Sequence, residues 1–275
     1  MKLNAFRLFL GFILILSIYL FATAPTPLPT NTTNSRTIPT NLALSILNQE
    51  NNVARSLYTK EIVLAGKKQG LKFDEDWKKN NLDAGPLPAQ FLRETANQIE
   101  KSPQPIGLFL GSDFPVNSAN RLRGKQLTFF NALKDTQQPQ YFYADDINRH
   151  IYMAADIAIS RACVSCHNEH KDSPKTNWKL NDIMGATTWT YPEAKMDHSN
   201  LIKMIVTYRK SVQKTYERYL KNVSSYKIKP EIGDKWPRHG FFLPSSDVFM
   251  RRFEQDASAS TLISLLNVNV ESKIP

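Results

Sequence analysis

Both cysteines of this 275-residue chain and two of its five histidines fall within eight positions: Cys163, Cys166, His167 and His170, in RACVSCHNEH at residues 161–170. C-V-S-C-H has the C-x-x-C-H spacing at which two thiols form thioethers along one edge of a porphyrin while an imidazole reaches its iron. On a helical turn, residues i, i+3 and i+4 lie on one side. Cys163 and Cys166 are therefore candidate covalent anchors for one haem c, with His167 as the candidate proximal iron ligand. Two other chemistries use the same residues. A disulfide across C-x-x-C would make a redox-active loop, although the β-α-β surroundings of thioredoxin-like proteins are missing. A zinc site would combine Cys163, Cys166 and His170 with a fourth ligand from elsewhere.

His170 lies one turn further on and cannot reach the opposite face of an iron held by His167. A distal ligand must come from elsewhere or be absent. Met153, Met184, Met196, Met204, Met250, His150, His198 and His239 are available. Met153 and Met184 sit on the strands expected beside the motif and are the better candidates, while most of the methionines read as core filler. Arg161, Lys175 and Lys179 are candidate partners for haem propionates.

The elements that must position these residues follow from periodicity. Leu44, Leu47, Leu57 and Ile62 recur at helical spacing over 41–70, and Gly70 is a natural stop. Residues 88–101 read as a second helix, with Phe91, Leu92, Ala96 and Ile99 on one face. IGLFL at 106–110 reads as a strand, 120–134 as a helix, 140–144 and 150–159 as strands, and 182–191 as a further strand. Residues 168–179 form a polar loop. Leu201, Met204, Ile205, Tyr208, Val212 and Tyr219 mark one face of a basic amphipathic helix over 199–222, and a last helix is expected over 249–266. Several strands with a few helices between them predict an α+β domain built on an antiparallel sheet.

Apolar residues make up 41% of the chain and aromatics 11%, enough for a real core. The net charge is +10, but the charges are spread, with no run of five or six basic residues. That pattern reads as a solvated surface and not as a nucleic-acid partner. Neither G-x-x-x-x-G-K-[ST] nor G-x-G-x-x-G occurs, so no phosphate-cradling loop is expected.

Lys2 and Arg7 precede seventeen uncharged residues, Leu8–Ala24, about 26 Å of helix at ~1.5 Å per residue, the short end of a membrane span. Ala22-Thr23-Ala24 fits a small-x-small cleavage site, yet Pro25 follows at once and disfavours cleavage. Residues 1–24 are thus either a signal anchor or a signal peptide. Either one places the rest of the chain outside the cytoplasm, in a periplasmic or other extracytoplasmic compartment and, if uncleaved, anchored to the inner membrane by residues 8–24. Residues 25–40, rich in Pro, Thr and Asn, read as a semi-rigid linker. The expected organisation is an anchor or leader (1–24), this linker (25–40), a haem-bearing domain (41–195) and a helical C-terminal extension (196–275). Covalent haem attachment belongs outside the cytoplasm, in agreement with the leader.

The run ACVSCHNEHKDSPKTNWKLNDIMG resembles the haem-c-binding, PAS-like extracytoplasmic sensor domains found alone or ahead of bacterial chemoreceptor, cyclase and kinase output modules. Asn168, His170, Ser173, Pro174, Lys175, Thr176, Trp178, Lys179, Leu180, Asp182 and Gly185 carry that likeness, and ARSLYTKEIV, GPLPAQFLRE and SDFPVNSANR extend it upstream, over roughly residues 50–190. The resemblance implies a PAS-like sheet holding a covalent haem, with Cys163 and Cys166 as thioether anchors and His167 as proximal ligand. Asn181 replaces the family's usual glycine, and Met184 stands where arginine is common. Some members use a distal cysteine, which a chain without a third cysteine cannot supply.

The expected function is that of an extracytoplasmic haem-c protein that senses redox state or a small diatomic ligand. It would signal through a partner protein or self-association, including a homodimer. The alternative is a monohaem c-type electron-transfer protein with a redox partner. No distal acid–base residue of a haem peroxidase can be identified, so no enzymatic activity is expected.

Overall fold

The computed structural model describes residues 2–23, 37–79, 82–234, 236 and 242–271. The chain divides into two compact units, residues 1–36 and 37–275. In the first, α1 spans Lys2–Ala22, with side chains such as Phe12, Ile15 and Phe21 exposed. Among the described residues no helix is long and apolar enough to cross a membrane. The expected N-terminal membrane helix is thus found as a helix only. Residues 24–36, which hold Ala24 of the small-x-small site, Pro25 and most of the linker expected over 25–40, lie outside the described residues, as does His239; the last four linker residues are instead a strand, Thr37–Pro39, and the first residue of a helix, Thr40.

The second unit opens with β1 (Thr37–Pro39), which pairs antiparallel with β8 (Lys195–Asp197), Thr37 opposite Asp197. A continuous helical rod follows: α2 (Thr40–Leu57), a π-helical segment (Tyr58–Leu64) and α3 (Ala65–Lys68). Leu44, Leu47, Ala54 and Leu57 bury its inner stripe. Gly70, at φ +90°, ends the rod, because an L side chain is strained in that conformation. Two short parallel strands, β2 (Lys72–Asp74) and β3 (Ala84–Pro86), lead into α4 (Pro88–Glu100). Pro88 starts α4, where a missing N–H does no harm. Phe91, Leu92, Ala96 and Ile99 are buried, and Phe91 stacks on Tyr58 with ring centroids 4.0 Å apart.

The main sheet is antiparallel, in the order β4 (Gly107–Gly111), β7 (Ile183–Tyr191), β6 (Arg149–Ile157), β5 (Gln140–Ala144). Directly opposed residues share a face. On one face Trp189, Tyr191 and Leu108 join the principal core with α2, and the Trp189 indole N–H donates to Asn48 Oδ1 at 3.3 Å. On the other face Phe142, Ile151, Met153 and Ala186 form a smaller core with Phe130 and Leu133 of α5 (Gly124–Thr136). The helix expected from residue 120 begins instead with a 3-10 turn, Ser118–Asn120, and becomes α-helical after Gly124.

Beyond the sheet, α7 (His198–Val223) and α8 (Ser246–Glu271) frame a short parallel pair, β9 (Glu231–Gly233) and β10 (Phe242–Pro244). Both helices belong to the principal core. Tyr208, Val212, Tyr216, Tyr219, Phe249 and Phe253 are buried in it together with α2 and α4. Glu50 of α2, fully buried, accepts from Arg209 of α7 through both oxygens, at 2.9 and 2.6 Å, and from the Thr261 hydroxyl of α8. The result is a mixed α+β unit with an antiparallel sheet between helices, as the periodicity predicts.

Candidate haem site

The motif lies on α6 (Arg161–Glu169), which leaves the end of β6 after three residues. Pairing with β7 persists past the strand: Ala158 N–H donates to the Asp182 carbonyl at 2.9 Å, and Asn181 N–H to the Ala158 carbonyl at 3.1 Å. Ser160 then caps the helix. Its backbone is extended, and its Oγ accepts from Cys163 N–H at 3.3 Å while lying 3.2 Å from Cys163 Sγ. Such a cap contributes on the order of 1 kcal/mol. Cys163, Cys166 and His167 occupy i, i+3 and i+4 of a formed helix, so the two thiols and the imidazole share one side. No residue of α6 is fully buried.

Both thiols are free; Cys166 is exposed and Cys163 half-buried. Burial, assisted by Glu75, pushes the Cys166 thiol above its ordinary value, although Lys67 opposes this. His167 is half-buried, and burial, with His170 nearby, holds its imidazole below the ordinary value against the pull of Glu75. The ring is thus neutral at neutral pH, the state that ligates iron. Its Nδ1 is buried with no hydrogen-bond partner among the described residues. At the strand-to-helix junction Ile157, Ile159 and Leu180 are 42%, 57% and 45% exposed. Two free thiols, a neutral imidazole with an unpartnered nitrogen and an adjacent apolar rim are the donor set that a covalently held porphyrin requires. Among the described residues no group of three or more His, Cys, Asp or Glu is arranged to hold a metal ion, so the zinc reading finds no preformed cluster.

The loop after α6 is folded back and tied. The Asn168 side chain pairs with the Trp178 backbone in both directions: Trp178 N–H donates to Oδ1 at 2.8 Å, and Nδ2 donates to the Trp178 carbonyl at 3.0 Å. Trp178 is buried against the edge of Phe114. Lys175 Nζ sits 4.0 Å from the Trp178 ring centre, so this candidate propionate partner is held on an aromatic face. Arg161 and Lys179 are exposed. Asn181 has φ +69°, the left-handed region that glycine enters freely and asparagine tolerates. That accounts for glycine being usual here and for asparagine serving in its place. Gly185 is required for a different reason: a Cβ there would lie 2.6 Å from the Gly111 carbonyl oxygen of β4.

The two favoured distal candidates occupy different settings. Met153 is fully buried in the smaller core. Met184 is half-buried and is the extra residue of a β-bulge: Asp156 pairs with Gly185 and Ile157 with Ile183, leaving Met184 unpaired. Bulges re-aim side chains next to functional sites. Ser112 Oγ donates to the Met184 carbonyl at 2.6 Å and fixes the bulge to the end of β4. Met196, Met204 and Met250 are buried in the principal core. His150, on β6, lies 3.0 Å from the Tyr141 hydroxyl, and His198 opens α7.

Sequence reasoning missed three neighbours. Glu75, on the turn after β2, meets His170 Nε2 at 3.2 Å; nothing in DEDWKKN marks it. Lys67, from the end of the long rod, lies within electrostatic reach of Cys166. Glu75 and Lys67 line separate shallow hollows of about 350 and 400 Å³. Asp156, the last residue before the bulge, is ion-paired with Arg55 of α2 and accepts from the Thr187 hydroxyl at 2.8 Å. The strand that feeds the motif helix is thereby tied to the long rod.

A family model, Tll0287-like: Tll0287, matches residues 33–192, more than half of the chain, and ends just beyond β7. Neither the curated proteins nor the solved structures yielded a match. The matching family is one of haem-binding domains and not of enzymes. The motif helix, its tied-back loop and the sheet beneath it all fall within the matched residues, and the chain belongs to the Tll0287-like family of haem-c-binding sensor domains.

Proposed function

We propose that this protein carries one haem c, joined to Cys163 and Cys166 through thioethers and ligated by His167, on an extracytoplasmic, PAS-like domain attached to the inner membrane by residues 8–24. The observation that carries this reading is the shared side of α6: two free thiols at i and i+3, and at i+4 a neutral imidazole whose Nδ1 has no partner among the described residues. A bound haem would supply an iron that changes redox state or takes a diatomic ligand. The chain's own residues hold and report. Ser160 caps the motif helix, and Asn168 and Trp178 tie its loop. The Arg55–Asp156 pair connects the feeding strand to the rod that starts beside Thr37. A shift of α6 with iron state reaches that rod through this pair, and from there a partner protein or a second copy.

Met184, on its bulge, is the better distal candidate. Swinging Met153 out would open the smaller core, at roughly 2–5 kcal/mol for a buried methionine.

Expression with a c-type maturation system tests the proposal. The wild-type chain is expected to keep its haem stain through denaturing electrophoresis, and the Cys163→Ser/Cys166→Ser variant to lose it. Equal staining of both, or of neither, overturns the reading.

A further inference from the structure

Among the described residues, five large apolar side chains are exposed on α7 and α8, in two groups. Ile202 and Val206 stand near the start of α7, 56% and 44% exposed. Leu262, Ile263 and Leu266 stand toward the end of α8, 58%, 59% and 55% exposed. The two helices run antiparallel. Phe249 stacks on Tyr216 with centroids 4.1 Å apart, and Phe253 meets the edge of Tyr208 at 6.4 Å. Each turn toward the end of α8 therefore travels toward the start of α7. Further along, Thr261 and Ser264 turn inward, to Glu50 and Gln49 of α2, which leaves Leu262, Ile263 and Leu266 on the outer side. Both apolar groups thus lie at the same end of the unit.

The chain enters at that end. Thr37 pairs with Asp197, and the Asp197 carboxylate caps α7 by accepting from Asn200 N–H at 2.6 Å. Residues 24–36, which span at most about 45 Å when extended, connect this point to the apolar α1. The apolar group is also flanked by cations. Lys203 and Lys210 are exposed on the same outer stretch of α7, and neither is ion-paired among the described residues.

We propose that this end, built from the start of α7 and the end of α8, docks on an anionic lipid surface. The apolar side chains enter the headgroup region, and Lys203 and Lys210 meet lipid phosphates. An exposed apolar set bordered by unpaired lysines is the composition of an interfacial membrane contact. The short tether to an apolar helix places a bilayer within reach, whereas a second copy of the chain, also strongly basic, would be repelled by the same lysines. This deepens the proposed membrane attachment and rests on it.

The test uses the full, haem-matured chain with vesicles of phosphatidylcholine alone and vesicles that also contain phosphatidylglycerol. Flotation reports attachment, and amine acetylation reports docking. With the anionic vesicles, acetylation of Lys203 and Lys210 is expected to fall about threefold or more relative to the neutral ones, while Lys227 and Lys229, beyond the other end of α7, are unchanged. The Leu262→Asn/Leu266→Asn variant is expected to restore the neutral-vesicle rate. Flotation with both vesicles and no protection of Lys203 and Lys210 overturns the docking and leaves attachment standing. Flotation with anionic vesicles alone, accompanied by protection, upholds the docking and removes the anchor. No flotation and no protection removes both. Protection that follows protein concentration and not lipid charge assigns the face to a second copy and overturns the proposal.

Discussion

His167 is the residue on which the site turns. Its imidazole is held below the ordinary histidine value mainly by burial, and this has a consequence before haem is attached. A histidine depressed in the folded state contributes stability that is present above its unfolded value, about 6.5, and is lost as pH falls through the lower folded value. The haem-free chain should therefore lose denaturant resistance as pH drops from 7.5 to 5, more steeply than its His167→Gln variant. Parallel pH profiles for the two would contradict that assignment. The two methionines separate in the same way. Met153→Ala should destabilise the fold by about 2–5 kcal/mol, as expected for a fully buried methionine, without altering the iron's absorption spectrum. Met184→Ala should change the spectrum and the reduction potential at little cost in stability. A spectral change on Met153→Ala alone would reverse the choice. The C-x-x-C-H triplet was readable from spacing, because its chemistry is local. The bulge that distinguishes Met184 from Met153 was not, because it depends on how β6 and β7 pair.

At the scale of elements, periodicity predicted most of the architecture. The helix expected over 88–101 is Pro88–Glu100, the strand over 140–144 is Gln140–Ala144, and the helix over 199–222 is His198–Val223. Each has a strong apolar stripe or alternation and a clear start, such as Pro88 or the Asp197 cap. The π segment within the first rod left no mark on the spacing of Leu57 and Ile62. It places Tyr58 against Phe91 and the Pro86 carbonyl, which the Tyr58 hydroxyl reaches at 2.8 Å. The strongest tie between elements was equally illegible. Nothing in the spacing marks Glu50, which is fully buried and joins α2, α7 and α8 through Arg209 and Thr261. Removing one partner of a buried ion pair costs roughly 3–5 kcal/mol. Arg209 retains some exposure, so Glu50→Gln should cost about 3 kcal/mol, the lower end of that range. A change in the denaturation midpoint equivalent to less than ~1 kcal/mol would show the pair to be dispensable, as surface pairs are.

For the whole molecule, the two C-terminal helices are not an appendage. They fill the principal core against the rod and α4, although the family match ends at residue 192. The main sheet, whose strand β6 feeds the motif helix, lies between that core and the smaller one under α5. The Arg55–Asp156 pair connects the motif strand to the rod directly.

All of this depends on haem being bonded to the chain at one place. Trypsin cleaves after Arg161 and Lys171, releasing residues 162–171, the peptide that holds both cysteines and His167. Mass analysis of that peptide from protein matured in an exporting host is the most direct measurement. The account predicts one peptide with the mass of a single haem added and neither cysteine open to alkylation. The same peptide at its bare mass, with both thiols alkylated, would contradict it.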